Sequence, residues 1–383
     1  MPARHPVLGL ILLLSACGGA DGPADSGPSG VDGTSGFDPT AWSVLEEGPF
    51  GMGYLETEAT YTTQLGQRRT IPVHLWYPTS EAGGGEVRYD DLFVQEGVSA
   101  GAEPAPPVHA GGHPVLVHSH GHWGVAGGVA YWARRLVSQG WVVIAPGHLG
   151  NTFTEGFPDF SGDSPTAHYI ERPGDVSAAL DAVVTADLLA GPLDAGAVGL
   201  SGHSRGAYTT WTAGGATFDA AALEAACAGE SSDFPTRTCT SEEAAVFRSG
   251  DLADPRFAAL LTLDGGIRGL FGDAGHQTVN GPVMALRKPD AGGSDQAEFD
   301  RMAGLDYTWV SVDGACHESF NLGIEASTFS PCETMERERG WSITASYATA
   351  FLRHHLRGEG GAEILGILDG SVEIDPAASL QRR

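Results

Sequence analysis

The sequence predicts an α/β protein: a mostly parallel central sheet flanked by helices, preceded by an antiparallel N-terminal hairpin. Three observations carry this. From residue 113 onward, short apolar runs alternate with helical stretches, the pattern of strands joined by helical crossovers. Before that point, residues 52–63 and 70–77 alternate apolar and polar residues around an Arg-containing turn, as two paired strands do. The third observation is a strand–turn–helix signature centred on Ser204.

Taken in order, strands are expected at 114–118, 141–145, 197–200, 257–263, 282–286 and 307–312. Each is a short, mostly apolar run. Helical periodicity fills the gaps at 127–139, 173–190 and 205–215, and again near 341–356. Residues 81–112 read as two loops rich in Gly, Pro and Ala. The crossover at 216–255 is unusually long and rich in small and acidic residues, and it is a candidate substrate-covering cap. With 383 residues, 42% of them hydrophobic, the chain has enough apolar material for one large domain, expected over 46–383.

The N-terminus reads as an export signal. Arg4 and His5 precede the apolar run 7–14, which has the length of a signal-peptide core and is too short to span a bilayer. It ends in Leu14-Ser15-Ala16-Cys17, which resembles a bacterial lipobox. Residues 1–16 are therefore expected to be a lipoprotein signal peptide, with Cys17 the acylated residue. Residues 17–45 follow as a disordered linker, because 18–40 are almost entirely small and polar. Gly18 does not match the Asp that, in lipoproteins, favours inner-membrane retention, so the expected destination is the outer membrane or cell surface.

The formal net charge is −27, from 48 acidic and 21 basic residues. Cleavage before Cys17 removes Arg4 and makes the mature chain one unit more negative. Such a surface repels phosphate backbones, which argues against nucleic acid as a partner. Four cysteines remain after Cys17: Cys227, Cys239, Cys316 and Cys332. An even number in an exported chain favours disulfides. Of the three connectivities, Cys227–Cys239 with Cys316–Cys332 closes the shortest loops. No close Cys-x-x-Cys pair points to zinc.

The chemistry-bearing motif is Gly202-His203-Ser204-Arg205-Gly206, a Gly-x-Ser-x-Gly between an apolar strand and a helical stretch. A sharp strand-to-helix turn lifts the serine hydroxyl out of the sheet, and glycine is needed beside so strained a backbone. A serine nucleophile needs a histidine base and an acid to orient it, in the chain order Ser, Asp, His. Of the later histidines, His354 and His355 lie on the final amphipathic helix, and His276 in a loop with no strand before it. His317 follows the 307–312 strand, at a strand's C-terminal end where such sheets place active sites. It is the expected base. Two acids fit: Asp264 directly after Leu260-Leu261-Thr262-Leu263, and Asp290 after the following strand. Asp264 is preferred, because a carboxylate abutting four apolar residues needs a partner. The backbone N–H groups of His122 and Arg205 are the expected oxyanion donors. Trp123, Phe153 and Phe157 are candidates for an apolar acyl wall.

His118, His120 and His122 share a His-x-His-x-His spacing that invites a metal reading. The metallo-hydrolase pattern it resembles also needs an aspartate beside the third histidine, where this chain has Trp123.

Several stretches together resemble the platelet-activating-factor acetylhydrolase and bacterial dienelactone-hydrolase-like branch of the α/β-hydrolases. They are Trp76-Tyr77-Pro78, Ser119-His120-Gly121, His148-Leu149-Gly150-Asn151-Thr152 and Arg172-Pro173-Gly174-Asp175-Val176, then Gly202–Gly206, Leu263-Asp264 and His317-Glu318-Ser319-Phe320. They run in the family's order over residues 50–355. The resemblance implies a triad of Ser204, Asp264 and His317, no cofactor, and hydrolysis of short or oxidised acyl esters, with lipid degradation as one role. Arg205 and His122 depart from the residues common in that branch, and dienelactone hydrolases themselves use cysteine where this chain has serine. The expected function is thus a carboxylic ester hydrolase acting on a small-molecule or lipid ester while anchored to the membrane by lipid. The alternatives are a metal-dependent hydrolase using His118, His120 and His122, a surface polyester or lipid hydrolase, and a non-catalytic surface lipoprotein on the same scaffold.

Overall fold

The computed structural model describes residues 37–383, apart from 82, 92, 157–165, 231–237, 266–268, 291, 294, 322–331, 333 and the side chain of 197. The expected signal peptide, Cys17 and most of the linker lie outside the described residues, as does Phe157. Residues 37–45 do not behave as linker: Val44 is fully buried, and the Arg353 guanidinium donates to the carbonyls of Trp42 and Pro39. The rings of Phe37, Trp42 and Phe50 also meet one another edge-on or tilted. Residues 37–45 therefore join the packed body, because Phe37, Trp42 and Val44 interrupt an otherwise polar stretch.

Among the described residues, eleven strands form one sheet in the order β11-β10-β9-β8-β7-β5-β6-β2-β1-β4-β3. The parallel block is β5 (His113–Ser119), β6 (Val142–Pro146), β7 (Leu193–His203), β8 (Ala259–Leu263), β9 (Val283–Arg287) and β10 (Tyr307–Val312). All six coincide with expected strands. The hairpin β1 (Gly51–Thr62) and β2 (Arg68–Thr79) is antiparallel and joins the block through β6. Residues 81–112 are not simply loops. They contain β3 (Gly85–Tyr89) and β4 (Phe93–Ala100), which extend the sheet beyond β1. A further strand, β11 (Ala378–Arg382), covers β10 antiparallel.

The block's strands are apolar throughout because both faces of the sheet are covered. Leu116, Val143, Leu261 and Leu263 face one hydrophobic cluster with α1 (Ala130–Ser138) and the long helix Arg337–Arg357. Their neighbours Val115, Val117, Ile144 and Leu260 face the other, with α3 (Ala167–Thr185) and α4 (Arg205–Ala213). A four-residue helix, α2 (Phe153–Gly156), precedes α3.

Helix α3 begins six residues before the expected start at 173. Proline favours a helix's first turn, which is why the sequence suggests a start there, yet Pro173 sits inside the helix. Its missing N–H leaves the Tyr169 carbonyl without its helical donor, and the Tyr208 hydroxyl donates to that carbonyl at 3.0 Å.

Within 216–255, helices Ala220–Cys227 and Ser241–Ser249 are tied by the Cys227–Cys239 disulfide. Leu223, Ala226, Phe247 and Leu252 pack into the α3/α4 cluster. Among the described residues this segment braces one face of the sheet and contributes nothing to the lining of the pocket below. The second expected disulfide, Cys316–Cys332, is also formed.

Candidate active site

The chain steps from β5 to β6 on one side, then crosses to β7 on the other. The loops after β5 and β7 therefore part at a switch point, and a crevice opens at the carboxyl ends of the strands. Ser204 stands at that point, at φ 55° and ψ −116°, between β7 and α4. Glycines make the turn possible: a Cβ on Gly202 would lie 2.1 Å from the Gly206 carbonyl oxygen, and one on Gly206 would lie 1.9 Å from that of Ser119. The Ser204 N–H donates to the Leu263 carbonyl at 2.9 Å, tying the turn to the end of β8.

The next residue after β8 is Asp264, itself at φ 42° and nearly buried. Its Oδ2 lies 2.6 Å from His317 Nδ1, and its Oδ1 accepts the Lys288 N–H at 3.2 Å. Asp290 is elsewhere: it is exposed, and its carboxylate caps the turn at Gly292. His317 opens a short 3-10 turn, His317–Phe320, directly after the half-cystine Cys316. Burial alone would lower the His317 pKa, but the hydrogen bond to Asp264 and the nearby Glu318 carboxylate outweigh it and hold it above 6.5. Burial would raise Asp264, yet its contacts with His317 keep its carboxyl below the ordinary value.

Ser204 and His317 line the same cavity, of about 480 Å³. The loop after β5 supplies one wall through Gly121, His122, Trp123 and Gly124, and Phe153 adds to it. Trp123 adopts φ 50°, which is uncommon for a bulky residue and costs backbone energy. The His122 ring rests against Trp123, and its Nδ1 lies 2.9 Å from Asn151 Nδ2. Arg205 is the first residue of α4, with its guanidinium 4.9 Å from the centre of the Tyr169 ring. The backbone N–H of Arg205 thus belongs to a helix N-terminus beside Ser204, a position that favours negative charge.

The three histidines of the 118–122 stretch do not converge. His118 Nδ1 meets the Ser201 hydroxyl, and His120 accepts from the His148 N–H and lies 2.8 Å from the Gly121 carbonyl, while His122 faces Asn151. Alternate residues of a strand share a face, but His120 and His122 lie past the end of β5, where the chain turns. Of the other histidines, His276 is buried and bonds the Arg301 carbonyl, and His354 bonds that of Glu359.

Sequence reasoning missed His203, Glu318 and Asn321, which also line the cavity. It also missed a buried network beneath the loop after β5. Ser119 Oγ lies 2.9 Å from His148 Nε2, and His148 Nδ1 lies 2.9 Å from Asp175 Oδ2. Arg69 and Tyr61 both donate to Asp175. The Arg172 guanidinium donates to the carbonyls of His120 and Gly121 and to Asn151 Oδ1. This Ser-His-Asp arrangement is fully buried and cannot meet a substrate, so it serves as scaffold. The signal was present in Glu171-Arg172-Pro173-Gly174-Asp175, three charged residues within the buried part of helix α3.

No protein-family model matches the sequence, and no curated protein matches it. Among solved structures, the chain is similar to a ferulic acid esterase from Streptomyces cinnamoneus, with a TM-score of 0.58 and 19% sequence identity. The likeness covers 90% of this chain and 99% of that one. Together with the sheet order and the turn at Ser204, this likeness gives the chain the α/β-hydrolase fold.

Proposed function

We propose that the chain is an exported serine hydrolase of carboxylic esters, with Ser204 as nucleophile, His317 as base and Asp264 as the orienting acid. The observation that carries the reading is a strained serine sharing one cavity with a histidine whose far nitrogen is held by a buried aspartate. Asp264 fixes the proton on His317 Nδ1 and leaves Nε2 to take the serine proton. Ser204 Oγ then attacks the ester carbonyl and forms an acyl-enzyme. The oxyanion is met by the backbone N–H groups of Arg205 and His122, and water releases the acyl group.

The substrate proposed is a short-chain, lipid-type or aryl ester. The aromatic wall of Trp123 and Phe153 favours an apolar acyl group, and the similar solved structure is of a ferulic acid esterase. Two disulfides fit an oxidising compartment, and among the described residues no helix is long and apolar enough to cross a membrane. We place the chain outside the cytoplasm, held by a lipid on Cys17.

The test is labelling of the purified protein with a fluorophosphonate probe, with and without Ser204→Ala. Labelling of the wild type that vanishes in the variant is expected. Folded wild-type protein that takes no label would sink the reading and favour a non-catalytic surface lipoprotein. Hydrolysis of p-nitrophenyl acetate, p-nitrophenyl palmitate and methyl ferulate then sorts the ester classes.

A further inference from the structure

We propose that His203, His317 and Glu318 form a binding site for a divalent transition-metal ion of the zinc type, and that the bound ion switches the hydrolase off. One ligand atom from each of these residues lies within 4.8 Å of the other two. All three line the cavity that holds Ser204.

The hydrogen bonds fix which nitrogens carry lone pairs. His203 Nε2 lies 2.8 Å from the His317 carbonyl oxygen, which can only accept, so Nε2 carries the proton. In the neutral ring Nδ1 is then left with a lone pair. That atom is buried in a residue only 2% exposed, and it has no hydrogen-bond partner among the described residues. A buried acceptor without a donor costs free energy unless something fills its place. In His317 the Nδ1 proton goes to Asp264, which leaves Nε2 as the donor atom.

Both rings therefore give one N–H to a carbonyl or carboxylate and keep the other nitrogen available. That is the arrangement that orients metal-ligating histidines. Two neutral imidazoles and a carboxylate match the three-ligand set of zinc sites that keep an open position. Magnesium and calcium prefer all-oxygen sets and are not expected here. The Asp264 carboxylate that serves His317 as a base thus also serves it as a ligand. The inhibition rests on the reading of His317 as base, since one Nε2 lone pair cannot hold an ion and take the Ser204 proton. Binding itself does not depend on that reading.

The test uses the full chain carrying Ser204→Ala, stripped with chelator and titrated with zinc chloride by calorimetry. One ion per chain is expected. Glu318→Gln and His203→Gln, each added to Ser204→Ala, should weaken binding at least about tenfold. The glutamine at 203 keeps an N–H for the His317 carbonyl while removing the ring's lone pair. Circular dichroism checks that each variant folds, and if His203→Gln does not, Glu318→Gln decides. In wild-type protein, zinc should abolish p-nitrophenyl acetate hydrolysis, EDTA should restore it, and magnesium should do nothing. Failure of folded Ser204→Ala to bind zinc below millimolar concentration, or equal affinity in the folded variants, overturns the site. Full activity at zinc saturation overturns the switch. Wild-type protein that takes no fluorophosphonate when metal-free, yet binds one zinc, keeps the site and overturns the serine hydrolase reading instead.

Discussion

Asp264→Asn is the substitution that most directly probes the chemistry assigned to this cavity. The carboxylate accepts from His317 Nδ1 at 2.6 Å and so holds the ring proton on that nitrogen. An asparagine amide in the same place can turn its N–H₂ toward Nδ1. The proton then moves to Nε2, the nitrogen that must accept from Ser204. The wrong tautomer costs about four powers of ten in rate, or roughly 5 kcal/mol of transition-state stabilisation. The backbone should tolerate the change. Asp264 sits at φ 42°, and asparagine is among the few residues enriched in that region. The backbone bond from the Asp264 N–H to the Leu286 carbonyl, at 2.8 Å, does not involve the side chain. The assay is kcat/KM on p-nitrophenyl acetate, with thermal unfolding to confirm that the variant is folded. Asp290→Asn serves as the comparison and should leave kcat/KM unchanged, because Asp290 is an exposed turn residue. A folded Asp264→Asn protein with more than about a tenth of wild-type activity would refute the reasoning, since a tautomer effect is far larger than that. So would a larger loss in Asp290→Asn.

Two further outcomes follow from the same geometry. The base must be neutral to act, and Asp264 and Glu318 hold the His317 pKa above 6.5, so kcat/KM should rise with pH through a midpoint above that value. A pH–rate profile with its acidic limb centred below 6.5 would contradict this. The Cys227–Cys239 disulfide spans a sequence separation of 12. Replacing both cysteines by alanine should cost about 3 kcal/mol of stability in urea denaturation, from the freed loop entropy of the unfolded chain. Esterase activity should persist, because the described pocket lining takes nothing from 216–255. A loss below about 1 kcal/mol would mean the segment is held by its packing rather than by the cross-link.

The parallel block was legible in the sequence because its strands are buried on both faces and read as unbroken apolar runs. The edge strands β3 and β11, and β4 beside β3, were not. Their faces are partly solvated, and Gly85, Gly97 and the polar Gln95 blur any alternation. The insertion's two helices escaped for a related reason, since small and acidic residues give a weak apolar stripe. Helix α3 was placed too late because Pro173 looks like a first-turn residue, and only the Tyr208 hydroxyl across the layer makes its interior position tolerable.

By itself the sequence determined the strand–turn–helix at Ser204, the strand ends carrying Asp264 and His317, and the two short disulfide loops. These are local matters, set by which residues can occupy a strained turn, a buried strand or a short cross-linked loop. It could not choose between Asp264 and Asp290 by position alone, since both follow strands of the same sheet. The pairing of β8 beside β7 sets Asp264 next to the turn at Ser204 and within hydrogen-bond distance of His317. Nor could the sequence bring His203 against His317 and Glu318, or put Arg172 under the carbonyls of the β5 loop. Those contacts join residues far apart in the chain, and only the packing of the sheet's loops and helices brings them within hydrogen-bond distance.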